Sequence, residues 1–76
     1  MHQKLVLIFQ DVFDDPQLQI TDETSRDNFD KWDSLEQVKL VIAIEEEFGV
    51  KFTTDEVTSI RSVGEFKKTV AAHSKL

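Results

Sequence analysis

The sequence predicts an all-α domain, a small bundle of three longer helices and one short helix, with a long loop between the first and second helices. Apolar residues recur at helical spacing in several segments, and no segment shows the apolar–polar alternation of a strand. Two glycines and one proline in 76 residues leave few breaks between helices. A chain of this length forms one domain, so we expect residues 1–76 to fold as a single unit.

The first helix is predicted from apolar positions that repeat at intervals of three and four residues. These positions are Leu5, Ile8, Phe9, Val12 and Phe13. The helix should end before Pro16, because a proline disfavours helical backbone in the residue that precedes it. Residues 17–32 have no sustained period, so we interpret them as a long loop. Four isolated apolar residues should pin this loop to the core: Leu18, Ile20, Phe29 and Trp32.

Capping signals mark the remaining helices. Asp33 with Glu36 has the spacing of a capping box, and Gly49 suits the position just after the end of the second helix. Thr53, followed by Glu56, repeats the spacing and opens a short helix over residues 54–60. The same capping spacing, from Ser62 to Glu65, begins the last helix. Its inward face should consist of Val63, Phe66 and Val70.

The second helix has too many apolar positions for one face. Projected at about 100° per residue, they divide into two stripes on roughly opposite sides. The stripe assigned to the core is Leu40, Val41, Ile44 and Phe48. The second stripe is Leu35, Val38 and Ile42, with Glu45 and Glu46 beside it and Lys39 close by.

A domain this small can bury only one of these stripes fully. We therefore predict that the second is an exposed docking surface with an acidic rim. The alternative is that the long loop folds back over part of it, with Leu35 lying under the loop that contains Trp32.

Charge and composition narrow the function classes. The net charge is −6, which argues against nucleic-acid binding and favours partners with basic docking surfaces. The chain has no cysteine, and its first apolar run, residues 5–9, is too short for a membrane span. We expect a cytoplasmic monomer. No metal site is expected, because from Asp27 onward Phe29 and Trp32 occupy positions where a calcium loop needs an oxygen ligand and a glycine.

Ser34 would be the first residue of the second helix. A phosphate attached there would lie near free backbone N–H groups and the positive end of the helix dipole. A hydrolytic role is not expected, because the two histidines, His2 and His73, lie near the chain ends and no general base is in view. Residue chemistry alone favours a simpler role for Ser34 as a helix-start residue, because serine is common at this position.

The run Asp33-Ser34-Leu35, followed by VKLVIAIEEEFGV, resembles the acyl carrier protein family. TSIRSVGEF is similar to that family's turn into its last helix, and the resemblance spans the whole chain. It implies that a phosphopantetheinyl transferase attaches 4′-phosphopantetheine from coenzyme A to Ser34. The thiol of that arm would hold an acyl group as a thioester, shielded in the helical core, and the protein would be a carrier and not an enzyme.

The resemblance also implies roles for the neighbours of Ser34. Asp33 and Leu35 flank the attachment serine in the family's motif. The partner-facing positions are Glu36, Val38, Lys39, Ile42, Glu45 and Glu46. The implied partners are the transferase and acyltransferases, ketosynthases or acyl ligases with basic docking patches.

Three departures from the fatty-acid carriers narrow the pathway. Trp32 replaces a small residue and is expected beside the attachment point, Lys39 replaces an acidic residue, and Thr53-Thr54 replaces a turn that contains proline. We interpret the chain as a carrier for a specialised pathway, such as polyketide, lipopolysaccharide or another secondary acyl transfer. The alternatives are the primary fatty-acid carrier, an aminoacyl or other carrier, and a helical interaction module without a cofactor.

Overall fold

The computed structural model describes residues 1–73, which contain α-helices and no named strand. The helices are α1 (His2–Val12), α2 (Ser34–Phe48), α3 (Thr54–Ser59) and α4 (Val63–His73). This confirms the predicted all-α fold of three longer helices and one short one, with the long loop between α1 and α2. In the described range, none of the helices has the length and apolar character that crossing a membrane requires.

The helix starts follow the predicted capping chemistry with two exceptions. At Ser62 the hydroxyl accepts from the N–H of Glu65, but the Glu65 carboxylate accepts from the N–H of Arg61 and not from that of Ser62. Asp33 accepts a hydrogen bond from the N–H of Glu36 at 3.0 Å, and the full capping box forms at Thr53. The second half of the box at Asp33 is missing, so that prediction was wrong. The Glu36 carboxylate instead lies 3.6 Å from the ammonium of Lys39, and the N–H of Asp33 donates to the carbonyl of Lys31.

A single apolar core joins α1, α2, α4 and the loop. α1 contributes Leu5 and Phe9, and α4 contributes the three residues predicted to point inward, all buried. The predicted core stripe of α2 is confirmed, with Leu40, Val41 and Ile44 buried and Phe48 half-buried. The loop adds Ile20 and Trp32 to the core, while Leu18 and Phe29 pack against it, so all four predicted anchors contact the core.

The long loop is docked on the link between α3 and α4. The N–H of Gly64 donates to the carbonyl of Asp22 at 3.0 Å, and the N–H of Arg26 donates to the carbonyl of Arg61 at 2.9 Å. A Cβ at Gly64 would lie 3.2 Å from the same Asp22 oxygen, so glycine permits this close approach. The Lys67 ammonium hydrogen-bonds to Asp22 and lowers the pKa of that carboxyl. These contacts hold the first part of the loop in place.

Gly49 ends α2 in the left-handed conformation with φ 67°, and open space surrounds the position that a Cβ would take. We expect Gly49→Ala to lower the free energy of unfolding by about 1 kcal/mol, because only backbone strain is added. Gly49→Asn is the matched control and should cost less, since asparagine tolerates this conformation. Urea unfolding of the three proteins measures both effects. An alanine variant as stable as the parent would contradict the assignment.

Candidate functional site

Ser34 is the first residue of α2, as predicted, and its side chain is exposed. Asp33 precedes it as the N-cap, in extended backbone conformation. The first N–H groups of a helix have no partner within the helix, and they carry the positive end of its dipole. The Ser34 hydroxyl therefore lies in a region that favours negative charge.

An arginine from the loop lies beside this hydroxyl. The Nη2 of Arg26 donates to the Oγ of Ser34 at 3.3 Å. Within residues 1–73, Arg26 forms no ion pair with a carboxylate, whereas the nearby Arg61 pairs with Asp27 at 2.6 Å. The Arg26 charge is therefore available to an anion attached to Ser34. Sequence reasoning missed Arg26, because only the docking of the loop on the α3–α4 link brings it to the serine.

A cleft of about 290 Å³ adjoins Ser34 between the start of α2 and α3. Its lining comes from the loop and both helices and exposes mostly apolar surface: Arg26, Ser34, Gln37, Val38, Val57 and Thr58. The serine thus opens onto a small partly apolar space rather than onto flat surface.

Gln37 forms the inner wall of this cleft and is only 3% exposed. Its Nε2 donates to the carbonyls of Val57 at 2.9 Å and Ile60 at 3.0 Å. Its Oε1 accepts a hydrogen bond from the Nε1 of Trp32 at 2.7 Å. Sequence reasoning missed this residue, although a signal was present. Gln37 projects at about 200° when Leu35 is set to zero, inside the stripe assigned to the core.

The Trp32 side chain lies in the core and does not line the cleft. It is 2% exposed, its ring stands edge-on to Phe9 at 5.2 Å, and it stacks on Phe66 at 6.1 Å between ring centroids. The expectation that Trp32 packs beside the attachment point was wrong in this respect. Burial of the large indole is favoured, and its N–H finds a partner in Gln37. Trp32 is therefore connected to the cleft only through its hydrogen bond to the Gln37 side chain.

The second apolar stripe of α2 is exposed, as predicted. Leu35, Val38 and Ile42 are 63%, 49% and 52% exposed, respectively. The alternative, in which the loop covers Leu35 with Trp32, is wrong because Trp32 turns into the core. We call these three residues the docking strip.

The charges beside the docking strip differ in availability. Glu36 pairs with Lys39, and one of its carboxylate oxygens is buried without a partner in the described structure. Glu45 is half-buried and accepts a hydrogen bond from the N–H of Phe52 at 2.8 Å. Glu46 is exposed. Glu45 therefore also holds the link between α2 and α3, and Glu46 is the carboxylate most open to a partner.

The described residues give little support for histidine-assisted hydrolysis or for metal binding at Ser34. His2 lies at the start of α1, and His73, at the end of α4, pairs with Glu56 at 2.8 Å, so neither histidine lines the cleft with Ser34. Residues 1–73 hold no cluster of three or more metal-ligating side chains.

Comparison with known proteins identifies the class of this site. The chain matches the family model described as the phosphopantetheine attachment site over residues 3–70. The fold and the match together define a carrier domain that holds a phosphopantetheine arm. A comparison with curated protein sequences finds no match.

Among solved structures, the chain is similar to the solution NMR structure of a holo acyl carrier protein from Geobacter metallireducens. The sequence identity is 34%, the TM-score is 0.82, and the match covers 93% of this chain and 82% of that chain. The chain therefore belongs to the acyl carrier protein family. Members of this family are carriers and not enzymes, and the cofactor of this protein is covalently attached 4′-phosphopantetheine.

The division of α2 into two stripes can be tested with one matched pair of valines. Val38→Ala should change the free energy of unfolding by less than about 0.5 kcal/mol, because the side chain is exposed. Val41→Ala removes the same atoms from the core and should cost about 1.5 kcal/mol or more. Chemical denaturation measures both values. Equal losses in the two variants would mean that the docking strip is buried in solution.

Proposed function

We propose that Ser34 carries the 4′-phosphopantetheine arm and that the protein delivers acyl groups, held as thioesters on that arm, to partner enzymes. The observation that carries this proposal is the exposed Ser34 hydroxyl at the first residue of α2, with the Arg26 guanidinium 3.3 Å away. The arm is joined to its serine through a phosphodiester, so the attachment point must accept a negative charge. When bound, the arm supplies the thiol that bears the acyl group.

The residues around Ser34 fit the phosphate of such an arm. The Arg26 guanidinium and the free N–H groups of the first turn of α2 can hold the phosphate oxygens. The carboxylate of Asp33 is turned to the N–H of Glu36, where it caps the helix. Leu35, on the other side of the serine, is exposed and begins the docking strip. The chain thereby orients the arm while leaving its far end free.

Partner enzymes are proposed to bind along α2. The docking strip lies on the same helix as Ser34, so a partner bound there has the arm within its reach. Glu36, Lys39, Glu45 and Glu46 are the proposed polar contacts, and the net charge of −6 favours partners with basic patches. These partners are a phosphopantetheinyl transferase and acyltransferases, ketosynthases or acyl ligases. The proposed acting form is a monomeric single domain in the cytoplasm.

A specialised pathway, such as polyketide, lipopolysaccharide or another secondary acyl transfer, is the proposed setting. Lys39 supports this, because it places a positive charge on the docking helix and neutralises part of Glu36 at 3.6 Å. A basic patch that recognises an acidic helix would meet repulsion at this position. Primary fatty-acid synthesis is the alternative setting.

The attachment of the arm to Ser34 is tested by intact mass after incubation with coenzyme A and a broad-specificity transferase. The parent should gain the mass of one phosphopantetheine group, and Ser34→Ala should gain none, because the hydroxyl is the acceptor. Ser62→Ala is the matched control, since Ser62 likewise stands at the start of a helix, where its hydroxyl accepts from the N–H of Glu65. It should gain the full mass. An unmodified parent protein is the result expected of an interaction module without a cofactor.

The pathway is tested at Lys39. We expect Lys39→Glu to raise the rate of acyl loading by fatty-acid synthase enzymes by about threefold or more, because it removes a repulsive charge from the docking helix. Lys68→Glu makes the same charge change on α4, away from the docking strip, and should leave the rate unchanged. An equal effect in both variants would show that only net charge matters.

A further inference from the structure

We propose that Gln37 closes the path from Ser34 into the core, so that this carrier takes short acyl groups and leaves long alkyl chains outside. This inference rests on the attachment of the arm at Ser34. An acyl group that turned back from the serine would first meet the adjoining cleft, whose inner wall is Gln37. The way inward lies between α2 and α3.

The Gln37 side chain ties these two helices together. Its Nε2 donates to the carbonyls of Val57, in α3, and Ile60, at the end of α3, at 2.9 and 3.0 Å. Its Oε1 accepts from the Nε1 of Trp32 at 2.7 Å. Parting the helices at this point would break the two hydrogen bonds to the α3 carbonyls. It would leave buried polar groups without partners unless the incoming chain replaced them, and an alkyl chain has no polar atoms with which to do so.

The space behind Gln37 is filled by aromatic rings. Trp32 stacks on Phe66 and meets Phe9 edge-on, and both phenylalanines are fully buried. An alkyl chain entering here would have to displace the indole as well as break its hydrogen bond. Large side chains in a packed core resist such displacement, because their removal forfeits apolar contacts on every side.

The cleft outside this barrier suits a different cargo. The surface that lines it is mostly apolar, although Arg26 and Ser34 stand at its edge. Its volume is about 290 Å³. A short acyl group fits this space and contacts its apolar surface. A long alkyl chain would place most of its length in water or on a partner enzyme.

The test uses the holo protein loaded with one of two acyl groups, butyryl or myristoyl. Intact mass confirms each loading, and thermal unfolding and tryptophan emission are then measured. Trp32 is the single tryptophan of the chain, so the emission reports on the core directly. We expect the melting temperatures of the butyryl and myristoyl forms to agree within about 2 °C, with the same emission maximum. A melting temperature that rises with chain length, together with shifted emission, would overturn the inference.

A variant tests Gln37 itself. Gln37→Leu removes the three hydrogen bonds at similar volume, and its myristoyl form should melt at a higher temperature than its butyryl form. Gln10→Leu is the matched control, because Gln10 donates a hydrogen bond to the carbonyl of Leu18 away from the cleft. It should behave as the parent does. Absence of any chain-length effect in a folded Gln37→Leu protein would exclude Gln37 as the barrier.

The parent series decides the cargo inference by itself if the Gln37 variant does not fold. A parent protein that accepts no phosphopantetheine overturns the attachment at Ser34 and this inference with it. A parent that loads normally and melts at a higher temperature with longer chains overturns this inference alone.

Discussion

The buried amide of Gln37 is the interaction on which the arrangement around the cleft depends. It joins the loop through Trp32, belongs to α2 itself, and holds α3 through two carbonyl groups. A primary amide is costly to bury unless its donors and acceptor are paired, and here both ends are used. α3 contributes no fully buried side chain of its own. Its position on α2 therefore relies on this amide and on partly buried contacts such as that of Val57.

A second set of contacts places the charge beside the serine. The first part of the loop is hydrogen-bonded to the link between α3 and α4, and Gly64 permits the close approach of Asp22. Arg26 follows a few residues later, with its backbone held by Arg61 and its guanidinium beside Ser34. The contacts that fold the loop thus also determine the electrostatics around Ser34. This explains why a long loop in a small domain can be both structural and functional.

The docking strip is exposed because the domain is small. A bundle of this length has one core, and α2 presents more apolar side chains than that core can accept. The surplus lies exposed on the helix that begins with Ser34. Two of the three carboxylates beside the strip are already engaged within the protein. Glu36 pairs with Lys39, and Glu45 accepts a hydrogen bond from the backbone of Phe52. A partner bound along α2, as proposed, would therefore meet an apolar strip with few freely exposed charges.

The sequence by itself determined the features that arise from local spacing. Helix boundaries followed from caps and from Gly49, the two stripes of α2 followed from its period, and Ser34 was placed at a helix start. The tertiary structure decided which side chains meet across the fold. Arg26 reaches Ser34 over eight residues of irregular loop, and Gln37 bonds to a carbonyl 23 residues away. Trp32 turned inward for the same reason, because its packing partners Phe9 and Phe66 come from α1 and α4. Such contacts depend on how the helices and the loop pack together, and periodicity within one segment carries no information about them.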